Sequence, residues 1–198
     1  MLYKVMAALL LGVTPVLASI ETSVFSRHVW RGQPGPSAVS VQPTISAVID
    51  NHIGETTIEV WGQIPITGSD TEYDFTISQT LGDYGTIAIT SYYFDGSFLS
   101  GENHDMEVGI AASQFGIDLF IGRFVKGNDV KEDTYIELGY TVSEYNLSVG
   151  IGDGSYTSDG ASAVVSVGVG VSNEEGYGAS LIINPDSEAS FLVISKSW

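Results

Sequence analysis

Beyond residue 18, apolar and polar residues alternate with a period of two through most of the chain, and few folds fit that pattern. Val165, Val167, Val169 and Val171 stand on one face against Ser166, Gly168, Gly170 and Ser172. Tyr145, Leu147, Val149 and Ile151 alternate with Asn146, Ser148, Gly150 and Gly152. Ile136, Leu138, Tyr140 and Val142 alternate with Tyr135, Glu137, Gly139 and Thr141. About twelve such segments can be counted: 21–31, 38–49, 56–66, 71–80, 85–94, 104–113, 116–125, 132–142, 144–152, 163–172, 176–184 and 188–198. Each is about 10 residues, the length a tilted strand needs to cross a bilayer. In 116–125, Arg123 and Phe124 interrupt the run Ile117, Leu119, Ile121, and a bulge is expected there. The pattern predicts an all-β chain: a closed antiparallel transmembrane β-barrel of about twelve strands.

Alternation alone does not choose between a membrane barrel and a soluble sandwich, whose apolar faces meet inside. The distribution of the other residues does. The apolar face of these segments carries Val, Ile, Leu, Phe and Tyr and no acidic residue. A charge at mid-bilayer costs about 2–4 kcal/mol for Arg or Lys and less for Asp or Glu. The alternate face is Gly, Ser, Thr, Ala and scattered carboxylates, as an enclosed polar interior requires. Unpaired strand edges cannot be solvated by hydrocarbon, so such a sheet must close.

Residues 1–18 have the order of an export signal. Lys4 precedes an apolar run, Val5 to Val13, and Val16-Leu17-Ala18 offers a cleavage site before Ser19. The run is shorter than the about 20 residues a spanning helix needs. Residues 19–198 are then one barrel domain, expected in the outer membrane of a Gram-negative bacterium. The chain has no cysteine, so a disulfide framework and thiolate metal sites are excluded. Its formal net charge of −17 and lack of a basic stripe argue against a nucleic-acid partner. The expected partners are outer-membrane lipids and lipopolysaccharide, with the barrel assembly machinery acting during biogenesis. No cofactor or metal is expected.

Aromatic residues fall at segment ends, where an apolar ring with a polar tip suits a lipid–water boundary. Tyr140, Tyr145, Tyr177 and Trp198 would form the belt at the periplasmic end, and Trp30, Tyr73 and Tyr93 the belt at the outer end. The segment Ser26-Arg27-His28-Val29-Trp30-Arg31-Gly32, with Pro36 and Gln42 after it, resembles the first strands of the TorF-type family of Gram-negative outer-membrane porins. His28 stands where that family often has tyrosine. Ile58-Glu59-Val60-Trp61-Gly62 follows the family's pattern, and Ile194-Ser195-Lys196-Ser197-Trp198 is similar to its terminal strand, which usually ends in phenylalanine. The resemblance implies an outer-membrane barrel with a porin role.

The candidate lumen-lining charges are Glu59, Asp74, Glu107, Asp118 and Glu137, with Arg27, Arg31 and Arg123 as inward cations. Carboxylates in a lumen concentrate cations, so the first expectation is a channel for passive diffusion of small solutes or ions with a weak cation preference. The alternative is a non-conducting structural or binding barrel, in which these charges pair and brace the interior. An outer-membrane lipid hydrolase is a third reading. His28, His52 and His104 are the only histidines, and none stands in a serine-containing context typical of membrane phospholipases, so no enzyme is expected. Acidic residues of the outer connections (Glu102, Asp105, Asp129, Glu132, Asp133, Asp153, Asp159) match no calcium-loop spacing and are read as solvated loops.

Overall fold

The computed structural model describes residues 17–68, 70–94, 104–127 and 132–198. Its strands are β1 (Leu17–Phe25), β2 (Val29–Trp30), β3 (Gln33–Pro34), β4 (Ser40–Asp50), β5 (Glu55–Pro65), β6 (Glu72–Thr80) and β7 (Thr86–Phe94). They continue as β8 (His104–Gln114), β9 (Ile117–Lys126), β10 (Thr134–Val142), β11 (Tyr145–Gly154), β12 (Gly160–Ser172), β13 (Tyr177–Asn184) and β14 (Ala189–Ser197). All but β2 and β3 form one closed antiparallel barrel of twelve strands, in which sequence neighbours pair and β1 joins β14 to β4. Most strand boundaries fall within two residues of those the alternation predicts. No helix among the described residues is long and apolar enough to cross a membrane, which says nothing of strands.

The start of β1 and Trp198 lie at one rim, here the terminal rim. Its turns are short: 51–54, 81–85, 115–116, 143–144 and 173–176. Phe115 and Gly116, both with positive φ, close a two-residue hairpin between Gln114 and Ile117. The opposite rim carries the longer connections, among them 26–39 and the one between β7 and β8.

Ile136, Leu138, Tyr140 and Val142 point outward and are exposed, and so are Leu147, Val149, Ile151, Val167, Val169 and Val171 beside them. The inward positions between them are mostly Gly, Ser and Thr, with Tyr135, Glu137 and Asn146. The buried apolar cluster therefore lies inside the barrel: Tyr92, Phe124, Tyr135, Tyr156 and Val165, with Trp30 and Phe120 against it.

Two features of this frame depart from the alternation. The segment 21–31 is not one strand. β1 ends at Phe25, Ser26 N–H donates to the Ile194 carbonyl at 2.8 Å, and the chain then leaves the sheet. Gly32, Pro34, Gly35 and Pro36 crowd the next few positions, and proline has no N–H for a ladder. Val165 does not share the outward face of Val167. Ile151 pairs with Val164 and Gly150 with Ser166, so Val165 is the extra residue of a bulge and its side chain is fully buried. A second bulge lies in β9, where Phe124 pairs with Glu107 but Lys126 with Met106. It comes one residue later than the break at Arg123 and Phe124 suggested.

Gly85 closes the 81–85 turn at φ +120°, and a Cβ there would lie 2.2 Å from the Ala111 carbonyl oxygen of β8. The clash is with backbone, and the conformation is open essentially to glycine alone. Gly85→Ala is expected to destabilise the folded barrel by about 1–3 kcal/mol in urea titration. A loss below about 0.5 kcal/mol, the usual size of an inert surface change, would mean that the turn relaxes freely.

Candidate functional site: an arginine hairpin inside the barrel

Residues 26–39 connect β1 to β4 by folding into the barrel. Val29 pairs with Pro34 and Trp30 with Gln33, leaving Arg31 and Gly32 as a two-residue hairpin loop. Both have positive φ, 51° and 79°, the signature of a type I′ turn. Glycine takes that conformation without strain, but arginine does not. Arg31 is held there by its contacts. Its two terminal nitrogens donate to both oxygens of Glu107 at 2.6 and 2.8 Å, a bidentate pair, and Nη1 also donates to the Tyr156 hydroxyl at 2.6 Å. The guanidinium carbon lies 4.4–4.8 Å from the ring centroids of Trp30, Phe120 and Tyr135. Tyr92 donates its hydroxyl to Glu107 Oε2 at 2.7 Å. Burial alone would lower the Arg31 guanidinium, but the Glu107 hydrogen bond and the neighbouring charges outweigh it and the pKa is raised, so the cation persists at any working pH.

Other residues of the same connection reach the rest of the wall. Gly32 lies against the bulge in β12: a Cβ would meet the Val165 carbonyl oxygen at 1.9 Å. Asn184 at the end of β13 donates to the Gly32 carbonyl at 3.2 Å. Gln33 donates to the Tyr156 carbonyl at 2.7 Å. Arg27 stacks over Phe191 of β14 at 4.7 Å. His28 packs on Trp61 of β5 at 5.5 Å, and Gln42 of β4 donates to its Nδ1 at 3.2 Å. Burial pushes the His28 pKa down to about 4, so the ring is neutral and its 3.8 Å approach to Glu72 of β6 is not an ion pair. Residues 27–33 thus touch β4 to β10, β12 to β14 and the β11–β12 connection, and the interior is plugged toward the opposite rim.

Toward the terminal rim the interior opens. A cavity of about 460 Å³ is lined by Thr80, Asp83, Thr86, Ser113, Asp118, Phe120 and Glu137. Glu137 accepts a hydrogen bond from the Tyr135 hydroxyl at 2.6 Å. Glu59 and Asp74 share the inward face with Thr76. Asp74 Oδ1, Gln63 Nε2 and Arg27 Nε are buried and have no hydrogen-bond partner among the described residues.

Of the candidate lumen residues, Arg27, Arg31, Glu59, Asp74, Glu107, Asp118 and Glu137 lie on the inner side, and the hairpin joins Arg31 to Glu107. Arg123 does not. It pairs with Val108 and Thr134 on the outer face, and its guanidinium bonds Glu132 at 3.0 Å. The alternation of Ile117, Leu119 and Ile121 runs on through Arg123, because the bulge follows it. Trp30 is no belt aromatic either: it lies inside, edge-on to Tyr92 and Phe124, because the chain has left the sheet before it. Tyr140, Tyr145, Tyr177 and Trp198 are exposed at the terminal rim, and Tyr73 and Tyr93 take outward register positions near the opposite rim, Tyr93 buried beneath the His104 ring. Sequence reasoning missed the roles of Tyr92, Phe120, Phe124, Tyr135, Tyr156 and Asn184. Arg-Gly followed by Gln-Pro-Gly-Pro was the available signal for a hairpin.

The acidic outer residues act mainly as loop staples. Asp153 accepts from Thr134 N–H at 2.6 Å, Asp133 from Ser155 N–H at 2.8 Å and Asp159 from Ala161 N–H at 2.9 Å. Glu102 and Asp129 lie outside the described residues. Among the described residues no group of three or more His, Asp or Glu side chains has metal-binding geometry. The histidines are dispersed, His28 inside, His52 in the 51–54 turn and His104 on the outer face. The chain matches no protein-family model, no curated protein and no solved structure.

Breaking a buried ion pair strands the remaining charge. Arg31→Ala and Glu107→Ala should each destabilise the folded protein by about 3–5 kcal/mol, whereas joint replacement of both by Met should cost clearly less. Chemical denaturation of the four proteins checks this. A joint loss equal to the sum of the two single losses would mean that the pair is not a coupled unit.

Proposed function

We propose that the chain is an outer-membrane channel for small solutes, held closed by its own β2–β3 hairpin in the conformation described. The observation that carries this reading is the outer surface. Aliphatic side chains cover the outward positions of successive strands, among them Ile58, Ile77, Ile89, Ile110, Ile121, Leu138, Val149 and Val169, all exposed. In water so continuous an apolar surface would drive association, while in a bilayer it is the surface required. The short turns at the terminal rim and the longer connections opposite fit a periplasmic and an outer side. The apolar run within residues 1–18 supports export, and the alternation of β14 fits a strand handled by the barrel assembly machinery. The likeness to TorF-type porins supports the same setting, and Ser26–Gly32, which carry that likeness, lead into and form the plug.

The interior supports permeation once the hairpin withdraws. Toward the terminal rim the remaining wall is mostly small and polar, and with Arg31 withdrawn Glu59, Glu72, Asp74, Asp118 and Glu137 outnumber the one inward cation left, Arg27. The open form therefore prefers cations. A second reading has a specific observation behind it. The Glu107–Arg31 pair and its aromatic cage suit a permanent brace, which would make the barrel a non-conducting scaffold.

Two measurements test these statements. Leu138 lies at the centre of β10, so Leu138→Arg should destabilise the protein folded into lipid vesicles by about 2–4 kcal/mol. An exposed leucine on a water-soluble barrel would tolerate the change within about 0.5 kcal/mol. In planar bilayers the native protein should be closed with rare openings. A variant with residues 29–34 replaced by a short Gly/Ser linker should show discrete openings whose reversal potential is cation-selective. If that variant keeps its heat-modifiable gel mobility and stays silent, the scaffold reading holds instead.

A further inference from the structure

The placement of positive charge on the outer surface is selective. The chain has 7 Lys and Arg against 24 Asp and Glu. Lys4 precedes the described residues, and Arg27 and Arg31 are inside the barrel. Lys196 is at the terminal rim, its amine bonded to the Glu175 carbonyl at 2.8 Å and lying over Trp198 at 4.6 Å. Lys131 is outside the described residues. The other two, Arg123 and Lys126, stand together on the outer face of β9, near the rim opposite the terminal rim.

The β9 bulge is what puts them together. Phe124 points inward opposite Glu107, and unbroken alternation would send Lys126 inward as well. The extra residue, Val125, returns Lys126 to the outer face opposite Met106, while Arg123 pairs with Val108. Met106 and Val108 are successive outward positions of β8, so the two cations are successive outward positions too, about 7 Å apart along the strand. His104 completes the patch. Its ring stacks on Tyr93 with centroids 5.1 Å apart, and its Nε2 lies 3.1 Å from the Lys126 amine. The ammonium can only donate, so Nε2 accepts, and this bond takes one of the three Lys126 donors. Arg123 is bonded to Glu132, but both are well exposed, at 54 and 79 %. An exposed pair of this kind is weak and readily exchanged.

The structure assigns to Arg123, Lys126 and His104 a binding site for the phosphorylated headgroup of an outer-leaflet glycolipid, an inference that rests on the outer-membrane reading. Lipid-facing cations are costly toward mid-bilayer and tolerated at the headgroup level, where phosphate is the anion at hand. The planar guanidinium suits two phosphate oxygens, and the ammonium adds a point charge beside it. The outward rings of Tyr73 and Tyr93 flank the site at the depth where amphipathic rings sit.

The test uses the full-length mature protein folded in detergent, with lipid binding followed by native mass spectrometry. The probes are bisphosphorylated lipid A and the same lipid with both phosphates removed. The native protein should hold the phosphorylated form at least about tenfold more tightly. The R123Q/K126Q variant should bring the two within about twofold, and E132Q, which frees Arg123, should tighten phosphorylated lipid A. Equal binding of the two lipids by the native protein would overturn the proposal, and so would a preference that survives in R123Q/K126Q. Displacement by inorganic phosphate at concentrations equal to the lipid would overturn the lipid assignment in favour of a free-anion site. All proteins are first checked for heat-modifiable mobility. Its loss in the native protein would bring down the outer-membrane reading itself, whereas a folded, phosphate-blind barrel overturns this proposal alone.

Discussion

A sheet with an apolar outer face can leave no backbone donor or acceptor at an edge, and the rest of this architecture follows from meeting that demand. Here β1 meets β14 through only a few register pairs, Ser23 with Ser197, Val24 with Lys196 and Phe25 with Ser195. Further bonds extend the seam at both ends, with Trp198 N–H donating to the Thr22 carbonyl at 3.0 Å and Ile194 N–H to the Ser26 hydroxyl at 2.9 Å. Closure fixes strand number, and strand number fixes an interior too wide for wall side chains to fill, unlike the smallest barrels. Something has to occupy that space, either water or protein. This chain places a peptide hairpin toward one rim and a polar cavity toward the other.

The hairpin changes what the interior charges mean. Taken as a set, the inward carboxylates look like the lining of an acidic pore. With Arg31 placed among them, Glu107 becomes one half of a buried pair, fixed further by the Tyr92 hydroxyl and surrounded by rings. Such a pair contributes little net stability over apolar substitutes, yet removing either partner is expensive. Its value lies in specificity: a bidentate guanidinium–carboxylate contact has one geometry and holds the hairpin in one position. Both bulges serve that position. One presents the Val165 carbonyl to Gly32, and the other lies beside Glu107.

Much of the fold was legible because alternation is a local signal and barrel strands are local structures. Leu147, Val149 and Ile151 announce their outward face without any knowledge of the neighbouring strand. The errors arise where one residue changes the count or where contacts are distant. Val165 looks like the first of four outward valines, and only the pairing of Val164 with Ile151 reveals it as an insertion. Arg123 looks like a break in the outward face because its charge suits an interior better than a surface. Trp30 looks like a belt residue because tryptophan at a strand end usually is one. The association of Arg31 with Glu107, Tyr156 and Gly32's neighbour Asn184 spans most of the chain, and no short window of residues carries it. The candidate site was therefore half legible: its charged residues could be named, but their arrangement could not.

The position of the hairpin within the chain has a consequence for the order of events in assembly. It follows the first strand, yet its partners Glu107, Tyr156 and Asn184 lie 76, 125 and 152 residues away from it. Contacts so far apart in sequence form late, since loop closure must be met before they stabilise anything. A nascent sheet therefore carries Arg31 exposed until the later strands arrive, and the seam between the first and last strands can shut around the hairpin only once it has been swallowed. Timing, in such a molecule, is part of the structure: a lumen sealed too early would exclude its own stopper.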